Sequence, residues 1–208
     1  RIRFEELYDS YPPELANRFF DTMTIQKGTS KLLIDFSAAL LQILFGIILL
    51  SFYHPYFIML GFLLLVLLYL IFKYSYFIGL ENSLKVSKYK YKVAGWLQEM
   101  ARNNYSFRKE RNYDFALQKN DKFASEYLNY RESLFNVLKR QFSHLIVFKI
   151  IITASLLTIG GYLVISQEMN IGQFVAAEII ILLVINSVEK IILGLETLYD
   201  VLTAVEKI

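Results

Sequence analysis

A few charged or amide side chains interrupt stretches that are otherwise almost wholly apolar: Asp35, Lys149, Glu178, Asn186 and Glu189. An ionised group in hydrocarbon is costly and persists where it finds a partner or borders a watery path. Lys149 and Glu189 match in depth within their stretches, with Asp35 roughly level. A Lys149–Glu189 ion pair is the preferred reading, and snorkelling of both side chains toward the interface is the alternative. Glu178 lies about 6 Å below the outer end of the last stretch, at ~1.5 Å per residue. Its depth differs from that of Lys149, so those two do not pair. Asn186 follows two helical turns further inward on nearly the same face. Glu178 and Asn186 are therefore candidates to line a polar path through a membrane. Exposure at the outer interface or a contact with a neighbouring helix is the competing reading for Glu178.

The residues of hydrolytic, redox and metal chemistry are sparse. The chain has no cysteine, so neither a disulfide framework nor a thiolate metal site is possible. His54 and His144 are far apart in the chain and read as interfacial polar residues rather than as a site. No G-x-x-x-x-G-K-[ST] stretch occurs, so this chain is not expected to hydrolyse ATP by itself. No catalytic residue, metal or cofactor of its own is expected, and no nucleic-acid partner.

The elements that carry these residues are long. Of the 208 residues, 55% are hydrophobic, 16% aromatic and 20% charged, which is too apolar for an ordinary soluble domain. Apolar runs cover 32–52, 56–72, 145–165 and 174–195. Each approaches the ~20 residues a helix needs to cross a hydrocarbon core of ~30 Å. They are Leu-rich and lack the alternation of strands, and backbone groups in lipid must be satisfied within their own segment. The fold class is therefore an all-α membrane protein with four transmembrane helices. A large soluble helical core is the alternative.

Lysines and arginines set the orientation. The connections "SFYHPYF" and "SQEMNIGQ" contain none, whereas the long connection contains many. Positively charged loops stay in the cytoplasm, so the short turns face outward, and Pro55 ends one helix or starts the next. The connection from 73 to 141 faces inward. Leu80, Leu84, Ser87, Tyr91, Ala94 and Gln98 recur at three- and four-residue steps, with Lys85, Lys88 and Lys92 on another face. Phe123, Tyr127, Tyr130, Leu134 and Leu138 form a second stripe. No Gly/Ser-rich or Pro-rich linker interrupts either arm. The expectation is a rigid cytoplasmic helical hairpin continuous with the spans. Its tip, "MARNNYSFRKE", offers Tyr105 and Phe107 among charges, as either a knob for a partner's groove or an ordinary solvated turn.

In layout and in several local patterns the chain resembles the transmembrane domain of ABC exporters, the type-1 fold. "WLQEMARNNYSF" (96–107) is similar to the stretch entering the family's second coupling helix. "GGYLVISQEMNIGQFVAAEIIILLVI" (160–185) is similar to its fifth helix, short outer turn and sixth helix, and "LETLYDVLTAVEKI" to the tail of the sixth. "LYDSYPPELANRFFDTMTIQKG" resembles the first intracellular loop, with Arg18 and Asp21 near that loop's Arg and Asp. The chain departs from the family pattern at Pro12-Pro13 and near Arg102-Asn103, where a glycine is usual.

The resemblance implies a partial domain, its four spans corresponding to helices three to six. The first two helices and the nucleotide-binding domain would lie outside it, and an opening at Arg1 agrees with a piece of a longer protein. It places the first coupling helix around Phe4, Leu7 and Tyr8, and the second around Asn103, Tyr105, Phe107 and Arg108. The implied function is the transmembrane part of an ATP-driven exporter that forms the substrate path. Implied partners are membrane lipid, a nucleotide-binding domain that holds ATP and magnesium, and a second transmembrane half in a homo- or heterodimer. The layout is closest to bacterial peptide or protein exporters, which places the chain in a bacterial inner membrane. An intramembrane enzyme or a non-transport membrane scaffold is the rival reading. An enzyme should show convergent His, Asp or Ser at one depth, and a scaffold has no need of stalks on one side only.

Overall fold

A computed structural model describes residues 12–103, 105 and 110–207. Four α-helices carry the chain: α1 (Pro12–Tyr53), α2 (Pro55–Arg102), α3 (Glu110–Ile165) and α4 (Ile171–Lys207). There is no strand among the described residues. All four helices are long and apolar enough to cross a membrane. At ~1.5 Å per residue the 48 residues of α2 make about 72 Å of helix. The periodic arm from Leu80 onward and the apolar run before it are thus one element, as are the corresponding parts of α3.

Helix ends explain where the chain turns. Pro55 is the first residue of α2, where its missing N–H removes no helical bond. His54 caps that end: its carbonyl accepts from the Phe57 N–H (3.0 Å) and its Nδ1 from the Tyr56 N–H (3.3 Å). At the other short turn, the Glu168 N–H reaches the Leu163 carbonyl (3.0 Å) and the Gln167 N–H that of Val164 (3.2 Å). This is a Schellman closure, with Gln167 in the left-handed region (φ 61°) where glycine is commoner. Asn170 and Gln173 then bond reciprocally, Gln173 N–H to Asn170 Oδ1 (2.8 Å) and Asn170 N–H to Gln173 Oε1 (3.0 Å). That capping box starts α4. Asn170→Ala should therefore lower stability by about 1 kcal/mol, measured as a shifted thermal midpoint in detergent.

The chain divides into two compact units. One comprises 30–77 and 138–197. Its core includes Leu50, Phe57, Leu64, Leu145, Ile152, Leu163, Ile181 and Val188, all buried. In a bilayer the lipid tails are as apolar as these side chains, so association rests on close fit rather than on escape from water. Gly160 shows the fit: a Cβ there would meet the Phe174 ring at 2.5 Å.

Among the described residues, the other unit comprises 12–29, 78–103, 105, 110–137 and 198–207. Its interior is mixed. Val86, Trp96, Leu134, Val137 and Tyr199 are buried beside Asp21, Ser83, Ser87 and Thr203. On the inward part of α2 the predicted stripe holds at Ser87 and Tyr91, both buried, while Leu80 and Leu84 are half-buried and Ser83 and Val86, beside the stripe, are buried as well. Ser83 turns inward with a polar contact, its Oγ 3.1 Å from Thr203 Oγ1.

Candidate functional site

The buried edge of α4 runs through Ala177, Ile181, Val184, Val188, Ile192 and Leu195. The opposite side is an exposed stripe: Val175, Ile179, Leu182, Asn186, Lys190 and Leu193. Successive members are three or four residues apart, which is one helix face. Asn186 sits near the middle of that stripe and Lys190 one turn beyond it. Glu178 is half-buried at its edge rather than on its crest. Eight residues at about 100° each leave Glu178 and Asn186 roughly 80° apart. The two candidates thus border one surface without facing the same way.

Lys149 and Glu189 do meet. Lys149 Nζ donates to Glu189 Oε2 at 2.8 Å, joining α3 to α4. The exposed face of α1 over 40–52 is wholly apolar, with Leu40, Leu44, Phe45, Ile48 and Phe52. That contrast with α4 is chemical. A purely apolar face suits lipid, while a face carrying an amide and an ammonium suits water, a solute or another protein surface. Beneath the stripe the Ser187 hydroxyl donates to Gln42 Oε1 (2.7 Å), so the α1–α4 seam has a polar contact of its own.

Of the residues expected in the coupling regions, Phe4, Leu7, Tyr8, Phe107 and Arg108 lie outside the described residues. Asn103 ends α2: its N–H bonds the Glu99 carbonyl (3.0 Å) and its Nδ2 donates to Glu99 Oε1 (2.6 Å). Tyr105 is 85% exposed. Just before this tip, Trp96 joins α2 to α3. Its Nε1–H donates to the Ala116 carbonyl (3.1 Å), and Lys119 Nζ stands 4.1 Å from its ring centroid.

Other contacts were invisible to sequence reasoning. The Tyr91 hydroxyl donates to Asp21 Oδ2, both residues buried, and so ties α2 to α1. His54 Nε2 lies 3.2 Å from Glu168 Oε2, linking the two short turns. On α2, Lys85 is held by Glu81 at 2.7 Å, which lowers the Glu81 carboxyl below its usual value and raises the Lys85 ammonium. Lys85 also stands 5.5 Å from the Tyr130 ring, which itself stacks on Tyr89 at 5.1 Å. The lysine face of the hairpin is therefore knitted into the α2–α3 pairing. Burial raises the Tyr89 phenol above its usual value.

Comparison with known families adds one finding. The family model described as the ABC transporter transmembrane region matches residues 12–188. No curated relative matches the chain.

Proposed function

Because the chain belongs to the ABC transporter transmembrane region family, we propose that it forms the translocation path of an ATP-driven exporter and relays to it the motion of a nucleotide-binding domain. The carrying observation is the exposed stripe of α4, where Asn186 and Lys190 interrupt an otherwise apolar face. With Glu178 at its edge, that face offers an acceptor, a donor–acceptor amide and a cation to a passing solute. A second transmembrane half, identical or related, would supply the opposite wall.

The helices support the relay. α2 and α3 run unbroken from the apolar runs to Arg102 and Glu110, so a push at the tip is carried by helix rather than by loop. Asn103 and Tyr105 form the described part of the tip, and Tyr105 is an aromatic anchor of the kind that seats in a partner's groove. The nucleotide-binding domain, on this polypeptide or on another, would hold ATP and magnesium. Its closure would move the tips, and the spans would alternate between two arrangements without any covalent chemistry on the solute. The resemblance to bacterial peptide or protein exporters makes a bacterial inner membrane the setting, with the hairpin on the cytoplasmic side.

The test is transport into proteoliposomes by the full transporter. Asn186→Leu and Glu178→Gln should each cut the transport rate about tenfold, while ATP hydrolysis without substrate persists. A loss of one hydrogen bond or charge contact in a desolvated path is of that order. If both variants transport at the parental rate with unchanged substrate-stimulated ATP hydrolysis, the α4 stripe does not line the path.

A further inference from the structure

Where α2 and α3 enter their apolar runs from the basic side, the two helices part enough to leave a crevice of about 180 Å³. Its floor is Ile71 and Phe148, both buried, and its walls are Leu67 and Ile151. Tyr74 and His144 stand at one end. The helices are antiparallel here, and the lining keeps register: Leu67 faces Ile151's level, and Tyr74 faces His144's. Seven residues along each helix give the crevice a length of about 10 Å. That is about two thirds of one leaflet of a ~30 Å hydrocarbon core. Nearly all its lining surface is apolar, and an apolar cavity of such size does not hold water. Tyr74 and His144 sit at the boundary of the apolar runs, and Leu67 and Ile151 lie deeper. The crevice is therefore oriented as a lipid chain is, polar end at the interface and apolar end inward.

On the two helices that form the crevice, the charges nearest its mouth are basic. Lys73 stands at the level of Tyr74, about 100° round the helix from it, its ammonium 5.9 Å from the exposed Tyr69 ring centroid. Arg140 lies four residues before His144, hence one turn further out on the same face of α3. Lys139 is beside it. From Pro55 to Leu80 and from Ser133 to Ile165 there is no aspartate or glutamate. A basic rim at headgroup level above a dry slot is the arrangement that takes an acidic lipid headgroup.

We propose that this crevice is a binding site for an anionic glycerophospholipid: one acyl chain lies between Ile71 and Phe148, and Lys73 and Arg140 supply the charge for the phosphate. Tyr74 and His144 bridge the two zones as hydrogen-bonding groups. The inference rests on the chain's placement in a bilayer and not on the transport reading.

The test is native mass spectrometry of the full-length protein with phosphatidylglycerol and phosphatidylcholine of identical chains at equal mole fraction. Phosphatidylglycerol should be retained in preference. Lys73→Ala and Arg140→Ala should each reduce its retention about 5-fold and leave phosphatidylcholine unchanged. Ile151→Trp, which fills the slot, should reduce both lipids. A second measurement does not depend on a buried change. Val147 is exposed, and a Val147→Trp reporter should be quenched more by chain-brominated phosphatidylglycerol than by the chain-brominated choline lipid. Equal retention of the two lipids by the parent protein would overturn the proposal. So would equal quenching, or retention unaffected by Arg140→Ala. Absence of any retained lipid, as when a second transmembrane half covers the crevice, would overturn it as well.

Discussion

Lys149→Met should lower the stability of the protein in detergent by about 2–3 kcal/mol, while Lys149→Met combined with Glu189→Met should recover most of the loss. The ammonium and carboxylate are 2.8 Å apart, with side chains 34% and 30% exposed. Removing one partner of a fully buried pair costs about 3–5 kcal/mol, because the other charge stays behind without compensation. Partial exposure reduces that figure, since the orphan can still reach polar surroundings. For a chain of this size the single variant should lose roughly 5–10 °C in thermal midpoint. Two methionines leave no charge to orphan and pack as flexible apolar chains. A double variant as unstable as the single one would show that the pair contributes attraction rather than merely satisfying two stranded charges. A neutral single variant would mean that the contact does not persist in solution.

The same pair shows what was legible in the residues. Lys149 and Glu189 could be matched because both lie in apolar runs whose ends are visible, so depth can be counted. The runs themselves were legible because hydrocarbon allows one kind of backbone, and long Leu-rich stretches fit nothing else. Rotation about a helix axis was harder. Spacing put Ser87 and Tyr91 on the α2 stripe, and both are buried, but it missed Ser83 and Val86, which are buried beside them while Leu80 and Leu84 are only half-buried. A serine that pairs with a threonine 120 residues away leaves no trace in periodicity. The Tyr91–Asp21 bond was hidden for the same reason: each residue alone reads as ordinary, and only the fold brings them together. Glu178 and Asn186 fall between the two cases. Their depth was countable, but an 80° difference in direction separates a half-buried edge from an exposed crest. The coupling residues Phe4, Leu7, Tyr8, Phe107 and Arg108 owed their assignment to family likeness alone, and they lie outside the described residues.

Gly79→Ala should destabilise by about 2–3 kcal/mol, although the same change at Gly95 on the same helix should stabilise by about 0.5–1 kcal/mol. Both glycines lie within α2, where alanine is intrinsically the better helix former by close to 1 kcal/mol. What differs is the neighbour. A Cβ at Gly95 meets nothing within 4 Å. A Cβ at Gly79 would lie 2.5 Å from Cε2 and Cζ of Tyr199. Tyr199 is 1% exposed, so the ring has no free space to swing into, and one of the two helices must shift. Overpacking of that kind costs typically 1–3 kcal/mol. One turn further along both helices, Ser83 and Thr203 hold their hydroxyls 3.1 Å apart, and a shift that relieves the ring also stretches this bond. The strain and the stretched bond together outweigh the helix-propensity gain. Tyr199→Leu provides the internal check. It removes the aromatic edge, and in that background Gly79→Ala should cost less than about 1 kcal/mol, a coupling that only residues in contact display. Thermal melts of the four variants in one detergent measure it. If alanine at 79 stabilises as it does at 95, α4 does not rest on α2 through this ring, and the parallel rungs of Gly79–Tyr199 and Ser83–Thr203 are not what holds the two helices together.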